Sequence, residues 1–592
     1  MSEENLFKYD RDMNSLKWVA RLHLRYPFRT FYVLIGGMIE ILIFLLPISI
    51  TANVIEISIE GGGIANAKGQ LWFLLGLAFV QAFLYFSVSF LNEVLAHRVT
   101  TDITQELFES LQYRSLTYHD SKDVGNIMAR ATGDTRTINI AISPAVRIII
   151  NVTIVWIVAF IITISIHYIL ALITVIVFII FVITTFIYST KILPLSVKAR
   201  ENFAEISEVI SSSLTGVREI KSFVATPWSK KKLLKTAIKY QKNVIKEQTK
   251  SAWFYPIFVV TFYAALMIVL SIYFAYMGLF DVSIKDVILI AGFVSFLTGM
   301  SEEVQWTMWF LIRGKVSADR IYDIVSEKDP AAFEDGDTEF ESNHATIEFK
   351  NVSFRYKDEL PYALRNVSFR VEDLQTIAIV GPPGSGKSTI TKLIQRLYLP
   401  TSGEILLSGR PISEYSNKSL RKNITTVEQD IFLFNLSVKD NIRYGKPEAT
   451  DEEITNVAKI AEANDFILEL PKKFENLIGE GGVRLSGGQA QRLSIARALL
   501  LNPSILLMDD GASALDARTE VKIQKAISEI LRTRTTVITT HRLAIIAKAD
   551  LVIIMEDGKI VGLGSHEQLI RKNPYYRRLF EKHYELPELE VV

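Results

Sequence analysis

The sequence predicts a molecule in two parts: a polytopic α-helical membrane domain of six transmembrane helices, followed by an α/β phosphate-loop domain. Three observations predict it. Hydrophobicity falls sharply near residue 313, after six long apolar stretches. The second part carries Gly381-Pro382-Pro383-Gly384-Ser385-Gly386-Lys387-Ser388 directly after the apolar run Thr376 to Val380 and before a helix-like segment beginning at Thr389. A second apolar run, Ile505 to Met508, ends on two acids, Asp509 and Asp510.

The bulk numbers set the limits. A chain of 592 residues is too long for one hydrophobic core. Apolar residues make up 49% of it and the net charge is only +1, which gives no electrostatic footprint for nucleic acid. There is no cysteine, so disulfides, zinc-thiolate sites and thiol catalysis are excluded together. The charged stretch ahead of the first apolar run is too long and polar for a secretory signal.

The membrane part is expected over residues 28–315, with a cytoplasmic segment 1–27 before it, a linker 316–344 after it, and the phosphate-loop domain over 345–592. Its spans are 28–53, 69–95, 143–166, 168–190, 254–278 and 286–312, each long enough to cross about 30 Å of hydrocarbon as a helix. Arg21, Arg25 and Arg29 precede the first span, Arg98 follows the second, Lys191 the fourth, and Arg313 and Lys315 the sixth; the opposite loops hold chiefly Lys68 and Lys285. The positive-inside rule makes those flanks cytoplasmic, so a multi-pass cell-membrane protein is expected with both termini and the phosphate-loop domain in the cytoplasm. Trp18, Val19 and Leu22 among Lys17, Arg21 and Arg25 suit a helix on the membrane surface. The long connections after the second and fourth spans are rich in helix formers, with breakers at Gly125, Gly133, Pro194 and Gly216 near expected turns. Helices of that length reach tens of ångströms beyond the bilayer.

The loop Gly381 to Ser388 points to ATP. Gly381, Gly384 and Gly386 let backbone N–H groups close on phosphate oxygens, together with Ser385 and Thr389 at the start of a helix. Lys387 meets the β and γ phosphates, and the Ser388 hydroxyl meets Mg²⁺. Two acids at a strand end serve the same chemistry, one for Mg²⁺ and one to orient the attacking water.

With Leu485-Ser486-Gly487-Gly488-Gln489 upstream of the acidic strand, the chain resembles an exporter of the ATP-binding cassette type, in which six membrane helices and one cassette share a chain and two chains form the transporter. The resemblance implies further roles. Tyr356 stacks on adenine, and Gln429 and Asp509 serve Mg²⁺. Ser486, Gly487, Gly488 and Gln489 contact the nucleotide of a partner chain. Asp516 lies in a loop crossing the dimer interface, and His541 contacts the γ-phosphate. The stretches Tyr118 to Gly125 and Leu214 to Ile220 resemble the family's coupling-helix regions.

One position departs from the family. The second acid is normally Glu, and Asp510 is one methylene shorter. Its carboxylate falls about 1.5 Å short, and a displacement of about 1 Å can cost on the order of a hundredfold in rate. The site with Lys387, Asp510, Gln429 and His541 is therefore expected to bind ATP well and hydrolyse it slowly. A heterodimer is favoured, in which the intact signature completes a competent site on a partner carrying Glu; a slow homodimer is the other reading. For substrate, Glu40 within the first span and Trp306 in the sixth are candidates. An ionised group in an apolar span is expensive and often functional. Glu40 would meet a cationic substrate or a neighbouring helix such as that of Gln81. A hydrophobic or amphipathic small molecule is the expected cargo, with membrane lipids as neighbours; lipid flipping and an ATP-sensing regulatory role are the alternatives.

Overall fold

A computed structural model of the chain describes residues 13–59, 68–253, 256–280, 282–327, 329, 335–340, 345–479, 482, 485–510 and 533–581. The chain forms two compact units, residues 1–113 with 122–328 and residues 114–121 with 329–592.

The first unit is helical: α1 (Ser15–His23), α2 (Pro27–Ile57), α3 (Lys68–Gln112), then, past a short helix α4 (Leu116–Ser121) that belongs to the second unit, α5 (Val124–Ile166), α6 (Tyr168–Thr215), α7 (Thr226–Trp253), α8 (Pro256–Tyr276) and α9 (Ile284–Ser326). Among the described residues, six segments are long and apolar enough to span a membrane. Hydropathy located their apolar parts, but the helices outrun it: α3 continues to Gln112, α6 to Thr215 and α9 to Ser326. Pro194, expected near a turn, lies inside α6. One proline removes one backbone hydrogen bond, which flanking turns of a long helix tolerate. Gly216 does end α6 as its C-cap.

Val152, Val155, Trp156 and Ala159 of α5, Tyr263 and Met267 of α8, and Ile290, Phe293, Val294 and Leu297 of α9 form the core of this unit. Helix α9 approaches its neighbours too closely for larger residues: a Cβ on Gly292 would lie 2.4 Å from Ile48 Cγ2, and one on Gly314 2.2 Å from Ala141 Cβ. On α3, Phe79, Phe83, Phe86 and Phe90 are exposed at helical spacing, a face suited to lipid. The apolar face of α1 is taken by protein: Trp18 and Leu22 pack with Leu95, Val99, Ile103, Ile321 and Tyr322. The Trp18 indole donates to Glu106 at 2.9 Å, and Arg25 bridges to Glu106 at 2.6 Å and Asp102 at 3.3 Å.

Among the described residues, the second unit holds two sheets. An antiparallel one runs in the order β2 (Leu364–Val371), β1 (Ile347–Phe354), β4 (Ser402–Leu407), β5 (Arg410–Pro411). The other has the order β10 (Lys559–Gly564), β9 (Leu551–Glu556), β3 (Thr376–Val380), β8 (Thr535–Thr540), β7 (Ile505–Asp510), β6 (Ile424–Val427). From β9 to β6 its pairings are parallel, and β10 closes it antiparallel. Parallel strands are covered on both faces, and β3 and β8 are accordingly buried throughout. Helix α10 (Lys387–Ile394) follows β3, and α11 (Gly487–Leu500) precedes β7. The segment from Arg114 to Ser121 joins this unit although the chain on either side belongs to the other.

Candidate functional site

Four neighbouring strands lead to the residues singled out from the sequence. In spatial order β3, β8, β7 and β6 end at the phosphate loop, before His541, on Asp509 and Asp510, and before Gln429. Parallel strands put these ends on one edge, the edge where open α/β sheets take ligands.

The loop after β3 is built for close approach. Gly381 has φ 154°, and a Cβ there would lie 2.1 Å from the Met555 carbonyl oxygen. Gly386 has φ 100° and caps α10 without a side chain, so the first N–H groups of the helix are offered to a ligand. Lys387 Nζ donates to the carbonyls of Gly381 at 2.8 Å and Pro382 at 2.9 Å, curled over its own loop. Burial pushes its pKa down, opposed by the charge of Asp509. Ser385 Oγ is buried without a hydrogen-bond partner among the described residues. An orphaned hydroxyl, a glycine cradle and a lysine bonded to two carbonyls fit a phosphate group. Ser388 follows Lys387, half-buried, in the first turn.

Tyr356 lies beside this loop. Its hydroxyl is 3.1 Å from Thr389 Oγ1, and the Lys392 ammonium is 5.6 Å from its ring centroid. Asp509 accepts a hydrogen bond from the Thr539 hydroxyl on the adjoining strand. Sequence reasoning missed Thr539, because only the pairing of Asp509 with Thr539 brings it there. Asp510 pairs with Thr540, the residue before His541. Gln429 and His541 are exposed. Asp516 lies outside the described residues.

Ser486 caps α11: its hydroxyl accepts from the Gln489 N–H at 3.3 Å, while Gln489 Oε1 accepts from the Ser486 N–H at 2.9 Å. This reciprocal box fixes the helix start. Gly488 is buried, but a Cβ on Gly487 would meet nothing within 4 Å and its φ is not positive. Neither space nor backbone within this chain requires glycine at 487.

In the membrane unit, Glu40 is 6% exposed and its Oε2 lies 3.8 Å from Arg147 Nη1 on α5. Arg147 also donates to Ser89 Oγ at 2.7 Å and sits 5.4 Å from the Tyr85 ring centroid. The chain thus supplies the cation for Glu40 itself, rather than a neutral partner such as Gln81. Trp306 is exposed. Arg147 also escaped the sequence reasoning; a lone arginine in an apolar span, matching a lone glutamate in another, was the available signal.

Comparison with known proteins agrees with both units. Residues 30–301 match the family described as ABC transporter transmembrane region, and residues 364–513 match that described as ABC transporter. A Staphylococcus aureus protein named for multidrug export, an ATP-binding/permease protein, is 31% identical over 94% of this chain and 97% of its own length. An ATP-dependent lipid A-core flippase of Pseudomonas aeruginosa is 33% identical over 81% of this chain and 79% of its own. The solved structure of a bacterial Atm1-family ABC exporter with ATP bound superposes with a TM-score of 0.80 at 26% identity, over 96% of this chain and 100% of that one. A transmembrane region and an ATP-binding domain, matched in the order in which the sequence carries them, make this chain a member of the ABC transporter family and an ATPase coupled to transport.

Proposed function

We propose that the chain is one half of a dimeric exporter that moves hydrophobic or amphipathic compounds by alternating access, and that its own phosphate-loop site turns over slowly. Gly381, Gly384, Ser385, Gly386, Lys387, Ser388 and Thr389 hold the triphosphate, with Tyr356 under the adenine and His541 at the γ-phosphate. Ser388, Gln429 and Asp509 would hold Mg²⁺, which neutralises phosphate charge. Asp510 orients water from the end of β7. The observation that carries the slow turnover is the residue itself: Asp510, one methylene shorter than the usual Glu, stands at a strand end whose backbone is paired with Thr540. Tyr356, Lys387, Gln429 and His541 are all retained, so binding is kept and hydrolysis is the step that suffers.

The signature supports a second chain. Gly487 is glycine for no reason internal to this protein, which suits close approach by another molecule. An intact signature beside a weakened acid favours a partner that carries Glu in its own strand. Both termini and the ATP-binding domain are assigned to the cytoplasm by the arginine-rich flanks. Because Arg147 answers Glu40 inside the chain, Glu40 no longer argues for a cationic cargo. Lipid flipping remains a second reading, favoured by the Pseudomonas aeruginosa relative named as a flippase.

Two measurements test this. ATPase of the purified chain is compared with that of an equimolar mixture with a second half-transporter carrying Glu; low activity alone and high activity together support the heterodimer, and full activity alone defeats it. ATP-dependent movement of a fluorescent hydrophobic cation, an uncharged amphipath and a labelled lipid in proteoliposomes then sorts export from flipping. Absence of movement for all three, with ATPase intact, would leave only a regulatory role.

A further inference from the structure

The short helix α4 is tied to the nucleotide site through one tyrosine. Tyr398, 4% exposed, donates its hydroxyl to the Asp120 carboxylate at the end of α4, while Leu116 at the other end packs on the hydrophobic core that contains Tyr398. The Tyr398 ring meets Tyr356 edge to face, with centroids 5.3 Å apart and planes at 86°, and Phe354 at 5.5 Å. Tyr356 in turn reaches Thr389 in the first turn of α10. Asp120, Tyr398, Tyr356 and Thr389 therefore form one continuous row. It runs from a segment whose flanking chain belongs to the membrane unit to the helix that follows the phosphate loop.

We propose that Tyr398 is a positioning residue for base recognition: held by Asp120, it sets the tilt of the Tyr356 ring, so that the position of residues 114–121 sets the affinity for adenine. The physical basis is directional at each joint. A hydroxyl bonded to a carboxylate is a strong, charge-assisted contact. Edge-to-face packing fixes the angle between rings more tightly than apolar burial does. Asp120 is exposed, so loss of the tyrosine hydroxyl leaves it solvated and not stranded, and Tyr398→Phe keeps the buried ring. Linkage makes the effect reciprocal: whatever α4 does to adenine binding, adenine binding does to α4.

The inference rests on the reading of Tyr356 as the adenine platform, and the test separates the two. Equilibrium dissociation constants for ATP and for inorganic tripolyphosphate are measured on the full-length chain in nanodiscs, for the wild type, Tyr398→Phe, Asp120→Ala, the double variant and Tyr356→Ala. Tyr398→Phe is expected to weaken ATP about fivefold, part of one charge-assisted hydrogen bond, and to leave tripolyphosphate unchanged. Asp120→Ala should do the same, and the double variant should be no worse than either single one. A merely structural role would weaken both ligands together, and that result overturns the proposal. Wild-type ATP affinity in Tyr398→Phe, alongside a loss in Tyr356→Ala, overturns the positioning role and keeps the platform. Wild-type ATP affinity in Tyr356→Ala overturns the platform and the positioning role with it.

Discussion

Asp510→Glu should speed hydrolysis. Strand β7 is paired on both sides, from Ile505 with Thr535 to Asp510 with Thr540, and from Ile424 with Ile505 to Val427 with Met508. A slip of one residue would advance the strand by about 3.3 Å and turn the acid to the opposite face. The strand therefore cannot supply the missing reach of about 1.5 Å, one carbon–carbon bond; only a longer side chain can. If a displacement of that size costs on the order of a hundredfold, restoring it lowers the barrier by about 2.7 kcal/mol. Single-turnover hydrolysis by the full-length chain in nanodiscs should rise by about that factor. The ATP dissociation constant should stay within about twofold, because Lys387 and the glycine loop are untouched. An Asp510→Asn variant sets the floor. If Asp510→Glu hydrolyses no faster than the wild type, the reasoning from side-chain length is wrong.

Two further outcomes follow from the geometry. Arg147→Gln leaves the buried Glu40 carboxylate without its cation and should destabilise the protein by about 3 kcal/mol. Glu40→Gln should cost less, since Arg147 keeps Ser89 and Tyr85, and the double variant should recover much of the loss; thermal unfolding in detergent checks this, and equal losses in the two single variants would contradict it. His566, in the helix His566–Lys572, bonds through Nδ1 to the buried Tyr576 hydroxyl at 2.7 Å, and burial pushes its pKa below the usual value against the opposing charge of Glu567. The folded state thus favours neutral His566, and that stability is present above about pH 6.5 and lost as pH falls through the lowered value. The melting-temperature advantage of the wild type over His566→Gln should be full at neutral pH and shrink on acidification. An advantage independent of pH would refute the assignment.

What could be read in the sequence was what is contiguous. Gly381 to Ser388, Leu485 to Gln489 and the acids after β7 each lie within a few residues, so composition and spacing alone expose their chemistry. Six spans were visible because lipid demands long apolar runs. The remainder depends on pairing across distance. Asp120 and Tyr398 are 278 residues apart, and nothing local to either marks them as partners. Thr539 reaches Asp509 only through strand register. The polar continuations of α3 and α6 were legible in their helix formers, whereas the run of α9 to Ser326 was not, because its outer turns are polar, and Pro194 misled because a long helix absorbs one missing hydrogen bond.

If the two nucleotide sites are unequal, disabling the two halves contributed by this chain has unequal effects. In a reconstituted mixture with a Glu-bearing partner, ATPase is measured with Asp510→Ala or Gly487→Asp in this chain. The Cβ of residue 487 has open space around it, so the second variant should fold. With the competent site built from this chain's signature and the partner's acid, Asp510→Ala should leave the rate within about twofold, while Gly487→Asp should lower it by about a hundredfold or more, as expected when a group at the reacting phosphate is displaced. If Asp510→Ala lowers the rate as far as Gly487→Asp, the two sites share the work and the asymmetry is wrong.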